Sequence, residues 1–302
     1  MTRCGLWMSV LLVAGAAVAA AQDVDTDYTS LQEAVAKKDV ATIKKLSAET
    51  SALAHQEIAK PNETDPDALK KRLDDLHAID TYTEYALYAT ALQSEAPVMV
   101  DLIAQLEKQN PKSKYLDAAY RYYLPALVKV GETAKIPEIA EKAVANFPEN
   151  PSLLFFLANY AASHGQAERE LAFSTRIIAL WNSHPKPPEG LTEADWEHER
   201  ELSLGPCYYM AGMVNASRSR WVDADQELRA ALPYAKGNSA TYANALFTLG
   251  LANYNLGKMT LNKAKVLEGA KFSEQAAAIQ SPVAGQAWKN AQVMKSEAAG
   301  MR

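Results

Sequence analysis

The sequence predicts an all-α protein made of antiparallel helix pairs stacked in series, an α-solenoid, and three observations carry that prediction. The first is the stretch from Tyr208 to Leu232. Tyr208, Ala211, Gly212 and Asn215 recur at i, i+3, i+4 and i+7, and Trp221, Ala224, Leu228 and Ala231 form a second stripe beyond a turn at Ser217–Arg220. Apolar and small residues at that period lie on one helix face, so the stretch reads as a helical hairpin. Gly212 lets a second helix approach, and Trp221 fills the wedge where two helices diverge. The second observation is that Gly131 and Gly165 each fall in an expected inter-helix turn, 34 residues apart. The third is that Asn110-Pro111 and Phe147-Pro148 close successive hairpins, because proline lacks the helix N–H and disfavours helix in the residue before it.

Taken in order, residues 1–21 read as an export signal. Arg3 precedes an apolar run from Leu6 to Val18, followed by Ala19-Ala20-Ala21, the small-residue pattern of a cleavage site. An uncleaved anchor is the competing reading. Residues 22–79 then predict an N-terminal helical hairpin and a linker helix. Its first helix runs from Thr29 to Lys37; its second is capped by Asp39. After the PNETDPD loop at 61–67, Ala68–His77 reads as a charged, solvated helix.

Five hairpin units follow, at about 80–113, 117–150, 151–183, 205–237 and 243–282. Tyr85, Tyr88 and Leu92 with Leu102, Ile103 and Leu106 form the inner stripes of the first. Tyr120, Tyr123, Leu124 and Leu127 with Ile136, Ala140 and Ala143 form those of the second, in which Pro125 predicts a kink. Leu154, Leu157, Ala158 and Ala161, then Leu171, Ile177 and Leu180, form the third. A Pro-rich break, SHPKPPEG at 183–190, precedes a capping box, Thr192 with Asp195, and a helix from Glu193 towards Gly205-Pro206. The Tyr208–Leu232 hairpin is the fourth unit. Leu246, Leu249 and Gly250, with a turn at Gly257 and a lengthened last helix over Leu261–Ile279, form the fifth. Residues 283–302 hold a capping helix, Ala284–Ala299, with an expected polar outer face.

The spacing of these small and apolar positions resembles the tetratricopeptide repeat (TPR), a helical hairpin of about 34 residues, over roughly residues 80–282. Asn110-Pro-Lys-Ser-Lys-Tyr115 is similar to the segment between repeats of exported bacterial members. The resemblance implies a right-handed superhelix and a protein or peptide partner held in a groove. Its groove positions fall on Arg121, Phe155, Asn159, Tyr209, Met213, Phe247, Leu251 and Tyr254. That set is largely apolar and aromatic, the residue types enriched in interface cores. It lacks the Lys/Asn pattern that clamps a C-terminal carboxylate. An equal alternative is that the chain fills its own groove with the N-terminal hairpin or the 183–204 segment.

Composition narrows the function. The formal net charge is −5, and loss of Arg3 with a leader makes it one unit more negative. A mildly acidic chain without a basic run is a poor fit to nucleic acid or an anionic membrane surface. No second long apolar segment follows the leader, so no membrane insertion is expected after cleavage. Cys4 and Cys207 are the only cysteines; Cys207 alone would remain, reading as a small buried hydrophobe with no disulfide partner. No two of His55, His77, His164, His184 and His198 lie at helical ligand spacing, which predicts no metal site on one helix, and no phosphate-loop or nucleophile-elbow motif is present. The expectation is a non-catalytic adaptor without cofactor or metal, exported to the periplasm or beyond. A structural subunit of an envelope assembly and an all-α enzyme whose site the sequence conceals are the alternatives.

Overall fold

The computed structural model of the protein describes residues 23–183 and 192–301. Among them are thirteen α-helices and no strand. The leader with Cys4, and nearly all of the Pro-rich 183–190 break with His184, lie outside the described residues. The chain divides into two compact units between Thr90 and Ala91.

The first unit holds α1 (Val24–Lys37), α2 (Val40–Ala59) and most of α3 (Pro66–Leu92). The Asp39 carboxylate caps α2 by accepting from the Thr42 N–H at 3.2 Å. Val24, Ala54, Leu76 and Ile79 form one buried cluster and Leu31, Ala34, Ile43 and Ala86 another. The charged 68–77 stretch presents Lys70, Lys71, Asp74, Asp75 and His77 to solvent as expected, but it is not a separate helix. It is the N-terminal half of α3, and its Leu76 is fully buried. Arg72 from that stretch donates two hydrogen bonds to Glu57 (2.7 and 2.9 Å) and a third to Asp25 (3.0 Å), tying all three helices together. Burial opposes the charge on Glu57, yet the Arg72 hydrogen bonds hold its carboxyl below the ordinary value.

The second unit runs through α4 (Ala96–Gln109), α5 (Lys114–Lys129), α6 (Ile136–Asn146), α7 (Pro151–Ser163), α8 (Ala167–Ser183), α9 (Glu193–Ser217), α10 (Trp221–Ala235), α11 (Ser239–Met259), α12 (Lys263–Ala277) and α13 (Ala284–Gly300). Neighbouring helices pack on each other in sequence order, the arrangement of an α-solenoid. Gly131 and Gly165 sit in turns with φ of 80° and 65°, where a side chain would be strained.

Three expected boundaries differ, each for a physical reason. Gly205-Pro206 does not end a helix: α9 runs straight through both residues. The helix gains more from burying Trp196, Leu204, Cys207 and Met210 on one continuous face than it loses at one missing N–H. Gly205 is there for close approach, because a methyl group on it would meet the Tyr234 Cβ at 2.2 Å. Gly257 is likewise inside α11, facing Val266 of α12. The turn comes later, at Thr260–Asn262, with Leu261 at φ 51°. The last hairpin is therefore lengthened in α11, whereas α12 has only 15 residues. The outer face of α13 is also not wholly polar, since Trp288 and Val293 are exposed. No helix among the described residues is long and apolar enough to cross a membrane.

Candidate functional site

The second unit carries a groove of about 650 Å³, walled by α5, α7 and the N-terminal half of α9, with Ile136 of α6 at its edge. That volume is within the ~300–1,000 Å³ range of ligand sites. Three local features put the walls in place. Asn150 caps α7 by accepting from the Leu153 N–H at 2.9 Å, and its amide donates to the Asp117 carbonyl and carboxylate at 2.7 Å each, so α7 is fixed to α5. Thr192 starts α9 by accepting from the Asp195 N–H at 3.1 Å. Fully buried Trp181 of α8 stands edge-on to Trp196 of α9, with ring centroids 4.3 Å apart. The Trp181 indole N–H donates to Ser203 Oγ at 2.9 Å, and Ser203 donates to the Glu199 carbonyl at 2.7 Å. This chain of contacts holds the α9 wall.

The lining is mostly apolar and aromatic. Tyr122, Leu124, Pro125 and Val128 come from α5, Phe155 and Phe156 from α7, and Leu202 from α9. Tyr122 is 41% exposed, Val128 55% and Leu202 56%. The groove thus leaves three large side chains of its lining open to solvent. Pro125 has no N–H, so the Arg121 carbonyl lacks its i+4 helix donor, and the Leu202 carbonyl lacks the one from Pro206.

At the polar end, Arg121 donates towards Glu199 at 3.0 Å and lies 3.4 Å from Asp195. Its guanidinium sits over the Tyr122 ring, 5.0 Å from the centroid. Burial raises the Glu199 carboxyl above its ordinary value, against the pull of Arg121 and with a further push from Asp195. Below the groove, Tyr120 donates to Glu107 of α4 at 2.8 Å. Burial raises both the Glu107 carboxyl and the Tyr120 phenol.

The groove unites three of the expected site residues, Arg121, Phe155 and Asn159. The other five do not line it. Tyr209 and Met213 pack, half-buried, on the Ala224–Leu228–Leu249 cluster, and the Tyr209 hydroxyl accepts from the Asn244 amide at 2.7 Å. Phe247 packs against Leu246, Ala276 and Ala287; Leu251 and Tyr254 pack against Val266, Ala270 and Met294. The Tyr254 hydroxyl donates to Glu297 at 2.9 Å. None of Phe155, Tyr209, Phe247 and Tyr254 is fully buried by the chain.

The 193–204 segment becomes one wall of the groove and leaves the space between the walls open. Its His198 and Glu199 lie in a charged run, DWEHERE at 195–201, that reads as a solvated face, and Leu202 follows directly after it. The usable signal was Trp196, Ser203, Cys207 and Met210, spaced as one buried stripe, which places Glu199 and Leu202 at its border. Cys207 is fully buried, and burial pushes its thiol up to about 12, against a hydrogen bond with Ser174. Among the described residues, no three His, Cys, Asp or Glu side chains are placed to hold a metal ion. No protein-family model matches the chain, and no curated protein is significantly similar to it.

Proposed function

We propose that this protein is an exported, non-catalytic interaction scaffold of TPR type, and that the α5–α7–α9 groove receives a segment of a protein partner. The observation that carries this reading is the groove itself. It is a largely apolar recess with Tyr122, Val128 and Leu202 exposed along walls that capping and buried tryptophans hold in place. Apolar side chains fixed in an open position lower the ordering cost of binding. The TPR part rests on the turn glycines, which share spacing and left-handed backbone at 131 and 165. The export part rests on the Arg3, Leu6–Val18 and Ala19–Ala21 pattern; N-terminal sequencing of the protein from its source cells should begin at Gln22.

The binding reading is tested by photo-crosslinking in those cells. A benzophenone side chain placed at Val128 is expected to join one discrete protein, and the same group at exposed Lys142 is not. Equal, diffuse labelling from both positions would end the proposal. A structural-subunit role is favoured by a different observation, the exposed Met259, Leu261 and Trp288 towards the C-terminal end. Light scattering separates the two, because that role requires a stable assembly.

A further inference from the structure

We propose that the segment received by the groove carries a basic side chain, Lys or Arg, flanked by apolar ones. This rests on the binding reading above and names the partner's chemistry. Among the described lining residues Arg121 is the one Lys or Arg, and Glu199 and Asp195 already answer its charge. Asp117, on the same helix as Arg121, adds a third carboxylate close enough to act on Glu199, and His198 of the lining acts on Glu199 with the opposite sign. Among the described residues the polar end therefore sets three carboxylates against one guanidinium and one imidazole. A bound acidic segment meets repulsion there, and a neutral one leaves the excess unanswered.

The rest of the lining suits the stem of a basic residue. Tyr122, Phe155 and Phe156 line the groove, and Leu202 lies three residues from Glu199 on α9. An aliphatic stem can lie along these surfaces while its head reaches the carboxylates. Ring faces attract a cation as well as an alkyl chain. Arg121 over Tyr122 shows that geometry within the site itself. Asp195 keeps about half its side-chain exposure, so an incoming cation can reach it without displacing Arg121.

The test uses the purified protein and three fluorescent peptides of Leu, Phe and Ser that differ only at one central residue, Lys, Gln or Glu. Fluorescence anisotropy at low salt is expected to rank them Lys, then Gln, then Glu. The outer two should differ about tenfold, or ~1.4 kcal/mol. Glu199→Gln should shrink that spread. Tyr122→Leu should narrow the gap between the Lys and Gln peptides, with the melting curve recorded alongside. Phe155→Ser should weaken all three.

Equal affinities that Phe155→Ser abolishes would overturn the charge preference and leave the groove reading standing. Failure of every peptide would remove both. Tightest binding of the Glu peptide would overturn the proposal by making Arg121 the receiver. A Lys preference untouched by Phe155→Ser would place the site elsewhere. A dimer that Phe155→Ser dissolves would make a second copy of the chain the occupant, which also overturns it.

Discussion

The second unit packs its helices in two ways, and α9 takes part in both. In the C-terminal stack, α9 to α12 approach through small residues. A methyl placed on Gly269 would meet the Gly250 carbonyl oxygen at 2.7 Å and the Tyr254 nitrogen at 2.8 Å. One on Gly212 would meet Leu228 at 2.6 Å. Around the groove the lining contains no glycine and no alanine; tyrosine, phenylalanine, proline and leucine face one another instead. Side-chain size at the contact sets the distance between helix axes. In the stack, helices meet at these glycines, whereas around the groove bulky side chains hold the walls apart.

The largest effect should come from removing the group that anchors the α9 wall. Trp181→Ala deletes a fully buried indole, its contact with Trp196 and its hydrogen bond to Ser203. Chemical denaturation should register a loss of about 3–5 kcal/mol. A loss below about 1 kcal/mol would mean that the α9 wall does not depend on α8, and the contrast between a held groove and a tight stack would break. Gly269→Ala probes the other side. The added methyl meets backbone on α11, which cannot rotate away, so a cost of about 1–3 kcal/mol is expected. A neutral result would show that α11 and α12 can slide apart, and that their spacing is not set by glycine.

Much of this division was readable from the chain. The stripes at 208–232, the caps at Asp39 and Thr192, and the turns at Gly131 and Gly165 all follow from local rules that the fold obeys. What local rules could not show is where burial outweighs them. Gly205, Pro206 and Gly257 are breakers by propensity, yet each lies inside a helix, and both glycines admit a neighbouring helix. The same limit applies to the groove. Arg121, Phe155 and Asn159 follow from repeat register. Glu199 and Leu202 belong to a helix outside that register, and only tertiary contact brings them to the site.

Electrostatics sharpens the contrast. Glu107 and Glu268 are both partly buried, and burial alone raises each. In the stack, Lys265 donates to Glu268 at 3.0 Å and Arg229 at 2.7 Å, and together they hold its carboxyl below the ordinary 4.5. Beneath the groove, Glu107 has tyrosine hydroxyls as donors and stays above 4.5. The signs are opposite. The folded state binds the Glu107 proton more tightly than the unfolded chain does, so its contribution falls as pH rises past 4.5 and is lowest at neutral pH. Glu268 contributes above 4.5, and that contribution is lost as pH falls through its depressed value. Stability measured across pH should therefore show Glu107→Gln flattening a decline towards neutrality and Glu268→Gln flattening a decline towards acid. Each change should be under about 1 kcal/mol. Parallel shifts in the two variants would refute the assignment.

The smallest expected effect on stability is also the one that ties packing to function. Leu202 is more than half exposed at the groove border and buries little on folding. Leu202→Ser should therefore change stability by no more than about 0.5 kcal/mol. In the proposed function a partner segment covers that side chain, and the gain from burying a leucine is about 1.5–3 kcal/mol. The same substitution should thus weaken peptide binding by roughly tenfold or more while the melting curve stays in place. An equally conservative change in the stack cannot separate the two readouts, because its small residues are already covered by the chain. If Leu202→Ser lowered stability and left binding intact, Leu202 would belong to the packed interior and α9 would not be a binding wall. An open leucine that matters only once a partner arrives is what distinguishes a groove kept apart by bulky groups from a loosely packed core.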